Sequence, residues 1–596
     1  MKTPFFSILL SLFLLCANAQ APSSYKISFE EAVHHEAQIE ATFSNLKKDE
    51  VIFRMSRSSP GRYALHEFAK NVFDVKVTDS NGNPLTITRP DPYSWKTSGH
   101  DGSIQVSYRL FANHGDGTYA QVDETHAHLN IPATFMYVPE LMDQEIEVTF
   151  IPREDLNWKI ATQLKPLEEN TYYAKDLQYF MDSPTELSNF SRRSFVLDGE
   201  TITLVLHHRG TEDEVDRYFE QVKKVVLQEK YVYGELPEFD YGEYTFLACY
   251  MPHVDGDGME HRNSTVCTST SDLSDQNSVG KISTIAHEFF HAWNIERIRP
   301  QALEPFNFEK ANMSGELWFG EGFTSYYAGL ILCRSQLMET ETYVNWLTGS
   351  FNYVWNSSGR LFYSPIEMSY QAPFQDAAES VDQTNSRNTF ISYYSYGHML
   401  GLALDLSLRE MGLNLDDFMK LVWKKYGKKA KYYTNKDLQQ VLGEYAGDKF
   451  GDYFFNSFIY KAEMPDYEKL FNTVGIVLNT NPTTPVYGIN FTDTILRGYP
   501  AFESPAYKAG LTKGDKILKI DDVPIISDSQ LTELLKTYKP GDLLSIEFER
   551  YEKSSTTTLE VGSNPNFQLS LYEKAGLILE DSTKVNRTNW LAPKDH

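Results

Sequence analysis

Cysteine is scarce in this chain: 4 occur in 596 residues, at positions 16, 249, 267 and 333. A disulfide framework is therefore excluded as the source of stability; a single bridge among Cys249, Cys267 and Cys333 stays open, and buried thiols are the default expectation. Long hydrophobic runs are missing beyond the first 20 residues. Nothing there approaches the roughly 18 apolar residues of a membrane-spanning helix, so no transmembrane segment is expected. Basic residues are also short, with 55 Lys and Arg against 81 Asp and Glu and a net charge of −26. That balance excludes the basic surface a nucleic-acid partner needs. It keeps the chain soluble and favours cationic ligands such as peptides with a free amine. Internal repeats and low-complexity tracts are absent as well.

What is present is ordinary globular composition, 41% hydrophobic and 23% charged, over a length that predicts two to four domains. The N-terminus, MKTPFFSILLSLFLLCANAQ, has Lys2, an apolar run over residues 5–15 and the small-x-small sequence Ala17-Asn18-Ala19. It reads as a secretory signal peptide over residues 1–19, cleaved before Gln20, which predicts an exported protein, periplasmic or secreted. A lipoprotein reading of Cys16 is disfavoured by the bulk of Leu15 before it.

Residues 24–180 alternate apolar and polar positions and carry turn signals such as Asn81-Gly82-Asn83-Pro84, which predicts a β-rich domain without a long helix. The pattern then changes. TITLVLHHRG and YTFLACYM read as strands, and Val215, Phe219, Val222 and Val226 have helical spacing ending at Gly234. Helices dominate from about 281 to 470, so residues 181–475 form a second domain, a mixed sheet with a helical half. A turn-rich linker at 479–485 precedes a module over 484–562, and residues 563–596 form a C-terminal extension. The overall class is multidomain α+β.

The chemistry concentrates in HEFFH, residues 287–291. Residues four apart lie one turn above each other on one helix face, so His287 and His291 can chelate one ion. Glu288 falls about 100° around the helix, where a general base for an activated water belongs. The flanking residues Ile285, Ala286, Phe289, Phe290 and Trp293 are apolar. Two buried imidazoles and a carboxylate are costly there without a partner, which a metal supplies. The competing reading is a pair of satisfied core histidines. A catalytic zinc needs a third protein ligand and an open position. Glu321, in LWFGEGFTSYY, lies 30 residues past His291; Glu316 competes, and spacing does not choose between them. Ser325, one turn after Glu321, is a weaker candidate for supporting it.

HEFFH with a downstream Glu-Gly-Phe-Thr resembles the gluzincin metallopeptidases, whose zinc sits on two His and one Glu. More closely, the chain resembles the glycyl aminopeptidase family of that class. The stretches that carry the resemblance are SSPGRYALHEFAKNV, HEFFHAWNIERIRP, LWFGEGFTSYY and GLTKGDKILKIDD, the last in a C-terminal PDZ module. The resemblance implies a thermolysin-like catalytic domain, Zn2+ as cofactor and Glu321 rather than Glu316 as third ligand. It implies a peptide substrate with a free N-terminus and a small first residue, glycine or alanine. GDGMEHRNST resembles the family's Gly-x-x-Glu-His segment and makes Glu260 the anchor of the substrate ammonium, with His261 and Arg262 supporting the strand. ISYYSYGHMLGLALDL resembles the segment holding the transition-state tyrosine. The family pattern Tyr-x-Lys-Gly stands here as Tyr394-Ser395-Tyr396-Gly397, which makes Tyr394 the oxyanion donor. The loss of the lysine leaves Tyr393 as an alternative.

A PDZ module accepts an extended peptide as an added strand and holds its terminal carboxylate, so a C-terminal peptide is an expected partner. VYGINF, residues 486–491, is the nearest candidate for the binding loop, and a purely structural appendage is the alternative. The rival functions are a zinc endopeptidase, in which Glu260 is only structural, and a PDZ-bearing binding protein with a vestigial metal site.

Overall fold

The computed structural model describes residues 21–274, 278–375 and 384–594; the predicted signal peptide lies outside them. The first domain is built of sheets. EAQIEATFS, residues 36–44, places Ala37, Ile39, Ala41 and Phe43 on one buried face, as strict alternation requires. It pairs antiparallel with Ser23–Ser28 on one side and Ser103–Phe111 on the other, within a seven-stranded sheet. A second, four-stranded sheet contains His126–Leu129, Lys159–Thr162 and Thr185–Ser188. The first domain's sheet structure thus continues beyond residue 180. Helices in this region are single turns.

The second domain begins with a five-stranded sheet. Its order is Ser191–Leu197, Glu200–His208, Glu243–Tyr250, Ser264–Ser269 and Asp257–Glu260. The three middle strands are parallel, and Asp257–Glu260 closes the edge antiparallel. The helix Glu212–Tyr233 covers this sheet. Thr211 and Glu214 cap it reciprocally, Gly234 ends it at φ 84°, and Val215, Phe219, Val222 and Val226 are buried as the spacing predicts.

Three further helices make the centre: the motif helix Ser278–Phe290, the second helix Leu317–Arg334 and the third helix Tyr393–Glu410. The second helix is buried almost all round, so it reads as apolar without a polar face. It meets the third helix at glycines. A Cβ on Gly397 would lie 1.9 Å from the Trp318 carbonyl oxygen and 2.7 Å from Gly322 Cα. No other residue permits that approach.

The PDZ module has its own core, including Leu496, Leu511, Ile517, Leu531 and Leu544. The expected one-turn helix is Pro505–Lys508, capped by Ser504 and followed by Gly510 at φ 72°, and the expected strand is Lys516–Ile520. The flanking segments return to the catalytic domain. Ile476–Thr480 pairs with Phe567–Leu571, and the helix Asp581–Leu591 buries Trp590, whose indole N–H donates to Tyr326 Oη at 2.8 Å. The C-terminal extension therefore completes the catalytic core, and the PDZ module sits as an insertion within it. Cys249, Cys267 and Cys333 are buried free thiols, and among the described residues no helix is long and apolar enough to cross a membrane.

Candidate metal centre

His287 and His291 project from one face of the motif helix with their Nε2 atoms 3.1 Å apart. Glu321 arrives from the second helix, its Oε2 lying 3.4 Å from His287 Nε2 and 3.2 Å from His291 Nε2. The three donor atoms converge on one point. Glu316 does not join them. It sits at the start of the second helix, where its carboxylate accepts from Ser314 Oγ at 2.7 Å and from Asn435 Nδ2 at 2.9 Å.

The donor set fits a divalent metal. Nδ1 of His291 lies 2.8 Å from the Asn294 carbonyl oxygen, so Nδ1 keeps its proton and Nε2 is the atom that faces Glu321 and would take a metal. Asn294 in turn donates to the Phe319 and Gly320 carbonyls, tying the two helices together. The turn that aims its carbonyl back passes through Ile295 at φ 96°, a strained conformation for a β-branched residue. The other Glu321 oxygen accepts from Tyr63 Oη at 2.6 Å. Ser325, the weaker candidate for supporting Glu321, lines the cleft beside His287.

The electrostatics point the same way. Burial opposes ionisation of Glu321, yet His291 and hydrogen bonds from both imidazoles hold its carboxyl well below the usual range. Burial also opposes charge on His291, but Glu321 and Glu260 push it up to about 10. Three carboxyl groups thus crowd two imidazoles, a donor set that a cation would suit.

Glu260 ends the edge strand and comes to the same place; an oxygen of Glu260, an oxygen of Glu288 and a nitrogen of His291 lie within 4.8 Å of one another. Burial, then the like charges of Glu321 and Glu288, raise the Glu260 carboxyl well above its ordinary value. Burial, with Glu321 and Asp257, likewise raises Glu288 against the pull of His291. Gly258 makes room for it: a Cβ there would stand 2.1 Å from Glu288 Oε1. His261 and Arg262 support the strand, as expected. His261 Nδ1 and the Arg262 N–H bond Asp182 at 2.8 and 3.0 Å. Arg297, in the Arg-Ile-Arg-Pro that trails the motif, donates to the Arg262 carbonyl at 2.9 Å and so pins the turn after Glu260.

The ring of Tyr394, at the start of the third helix, lies 6.0 Å from that of His287. Tyr393 packs edge-on against Tyr63 at 6.2 Å and lies 4.7 Å from the Tyr394 ring. A cleft of about 440 Å³ opens on His287 and Glu288, lined also by Gly258, Thr268 and Lys281. A larger cavity of about 650 Å³ is lined by Glu235, Arg262 and Glu296 and does not reach the histidines.

Two contributions from the first domain were not legible in the sequence. Tyr63 holds Glu321, and Arg62 is paired with Asp257 on the edge strand. Both lie in SSPGRYALHEFAKNV, whose resemblance to the family carried no assignment of their role.

Residues 24–189 match the sequence model of the peptidase M61 N-terminal domain, residues 280–400 that of M61 glycyl aminopeptidase, and residues 485–561 that of the PDZ domain. No curated protein matches the chain. Among solved structures, the chain is similar to an aminopeptidase N family protein from Idiomarina loihiensis at 24% identity and a TM-score of 0.81, covering 96% of this chain and 100% of that one. An M1 zinc metallopeptidase from Deinococcus radiodurans, in a mutant form bound to a Tyr-Ser-Ala substrate, matches at 12% identity and a TM-score of 0.43, over 75% of this chain and 96% of that one. With both M61 segments matched in order around the converging His, His and Glu donors, the chain is a metallopeptidase that resembles the glycyl aminopeptidase family and carries a C-terminal PDZ domain.

Proposed function

We propose that the protein is an exported zinc aminopeptidase that removes a small N-terminal residue, glycine or alanine, from peptides. His287, His291 and Glu321 hold the zinc. When bound, that ion polarises the scissile carbonyl and acidifies water. Glu288 takes a proton from the attacking water and returns it to the leaving amine, a task suited to a carboxyl whose affinity for protons burial has raised. Tyr394, beside His287, donates its phenol hydrogen to the developing oxyanion. Glu260 receives the substrate ammonium, and the distance from Glu260 to Glu288 sets how far the first carbonyl lies from the water.

The observation that carries this reading is the position of Glu260. A carboxylate buried against Glu288 and Glu321 lacks a full counter-charge, and an arriving ammonium supplies one. The preference for a small first residue is supported by crowding: a Cβ on Gly61 would already stand 3.1 Å from Glu260 Oε2. The test is Glu260→Gln. It should raise KM for a free-amine substrate by one to two orders of magnitude, with metal content unchanged, reflecting a charge-assisted bond of about 1.5–3 kcal/mol. An unchanged KM would remove Glu260 from the substrate site and leave an endopeptidase as the better reading.

A further inference from the structure

Four strands bring a second set of donors together, on the side of the catalytic sheet that meets the first domain. His126 and Glu186 come from neighbouring strands of the first domain's four-stranded sheet. His207 and Cys249 come from adjacent parallel strands of the catalytic sheet and stand directly opposite each other in register. The donor atoms face inward. His207 Nδ1 lies 3.2 Å from Cys249 Sγ, and His126 Nδ1 lies 3.3 Å from Glu186 Oε1. The crossed separations, His126 Nδ1 to Cys249 Sγ and His207 Nδ1 to Glu186 Oε1, are both 3.9 Å. All four residues are buried, none more than 7% exposed.

We propose that His126, His207, Cys249 and Glu186 form a second metal site, a closed four-coordinate site for zinc that staples the first domain to the catalytic sheet. His126, His207 and Cys249 each offer a donor atom within 4.8 Å of the others, and the four separations above, 3.2–3.9 Å, are close to the roughly 3.3–3.8 Å between donors of a tetrahedral zinc with bonds of about 2.0–2.3 Å. The surroundings fix the ligand tautomer. Gln121 Nε2 donates to the His253 carbonyl at 3.1 Å, which turns its Oε1 toward His126 Nε2, also at 3.1 Å. His126 therefore carries a proton on Nε2, and Nδ1 faces the other donors, the orientation an outer hydrogen bond imposes on a ligating histidine. The charges balance. A Cys249 thiolate and a Glu186 carboxylate neutralise a divalent cation, the thiol proton passing to solvent as the metal binds. His128 stands behind, its Nδ1 3.3 Å from the second Glu186 oxygen. A thiolate ligand and full burial mark this as a structural site, unlike the open, sulfur-free set at His287, His291 and Glu321.

The sulfur separates the two sites experimentally. The full-length protein should bind two equivalents of zinc per chain. Reconstituted with cobalt, it should show a thiolate-to-cobalt charge-transfer band in the near ultraviolet. His287→Ala should lose one equivalent and keep the band; Cys249→Ser should lose the band. Should Cys249→Ser fail to fold, zinc absorption-edge scattering on the His287→Ala protein serves instead. It should show a sulfur neighbour at about 2.3 Å. One zinc per chain with no charge-transfer band, or a metal shell without sulfur, would overturn the proposal and leave an imidazolium–carboxylate pair of His126 and Glu186 in its place.

Discussion

Replacing Gly258 by alanine should disable the general base while sparing the fold. The residue lies on the edge strand with ordinary extended backbone, so alanine meets no conformational penalty there. The added Cβ would stand 2.1 Å from Glu288 Oε1, 2.7 Å from its Cδ and 3.0 Å from its Cγ. Ordinary contact is near 3.5 Å, so the carboxylate must retreat by roughly 1–1.5 Å. The atoms displaced are the end of a side chain, and the stability cost should stay at or below the ~1–3 kcal/mol typical of overpacking. The catalytic cost should be larger. A misplacement of about 1 Å is worth on the order of 100-fold, or about 2.7 kcal/mol of barrier. Steady-state kinetics on a free-amine peptide should show kcat down by about two orders of magnitude with KM nearly constant. Metal content, measured on the same preparation, should match the parent, and Tm should fall by no more than a few degrees. A kcat within threefold of the parent would refute the assignment of Glu288 as base, as would a loss of activity that merely tracked lost metal.

Gly397→Ala should act differently, through the helices. Its Cβ meets backbone at 1.9 Å and cannot be accommodated by a side-chain rotation, so both stability and kcat should fall, by about 1–3 kcal/mol or more in denaturant unfolding, as the third helix carries Tyr394 away from His287; a variant with parental stability would contradict the packing described. His66 gives a pH signature. Burial, with Arg62 beside it, lowers its pKa to about 4, and neither ring nitrogen has a hydrogen-bond partner among the described residues. The unfolded chain takes up this proton first, near pH 6.5, so stability should be whole above pH 6.5 and fall by up to about 3 kcal/mol between pH 6.5 and 4. His66→Phe should flatten that part of a Tm-against-pH curve; an unchanged slope would show that His66 is not held neutral.

Periodicity served the sequence reading where one face alone is buried. The strand at 36–44 and the helix at 212–233 have the faces their spacing predicts. HEFFH was readable for the same reason, because both histidines lie on one helix. The choice of Glu321 over Glu316 was not readable from spacing, since either is reachable; the structure separates them by giving Glu316 its own hydrogen bonds to Ser314 and Asn435. Tyr63, Arg62 and the His126–Cys249 cluster are assembled from strands far apart in the chain, and no local pattern records such a meeting. The C-terminal extension shows a related blind spot. Its helix is mostly polar, and only Trp590 and Leu591 are buried, too few for periodicity to reveal that it completes the catalytic core.

The central claim is that the site recognises a free N-terminus through Glu260. The direct measurement is kcat/KM for one short peptide with an N-terminal glycine, compared with its N-acetylated twin. Acetylation removes the ammonium and adds bulk near Glu260, where Gly61 leaves no room even for a Cβ. The account predicts cleavage of the free peptide after its first residue and a loss of at least 100-fold for the acetylated one. Equal cleavage of both would contradict it.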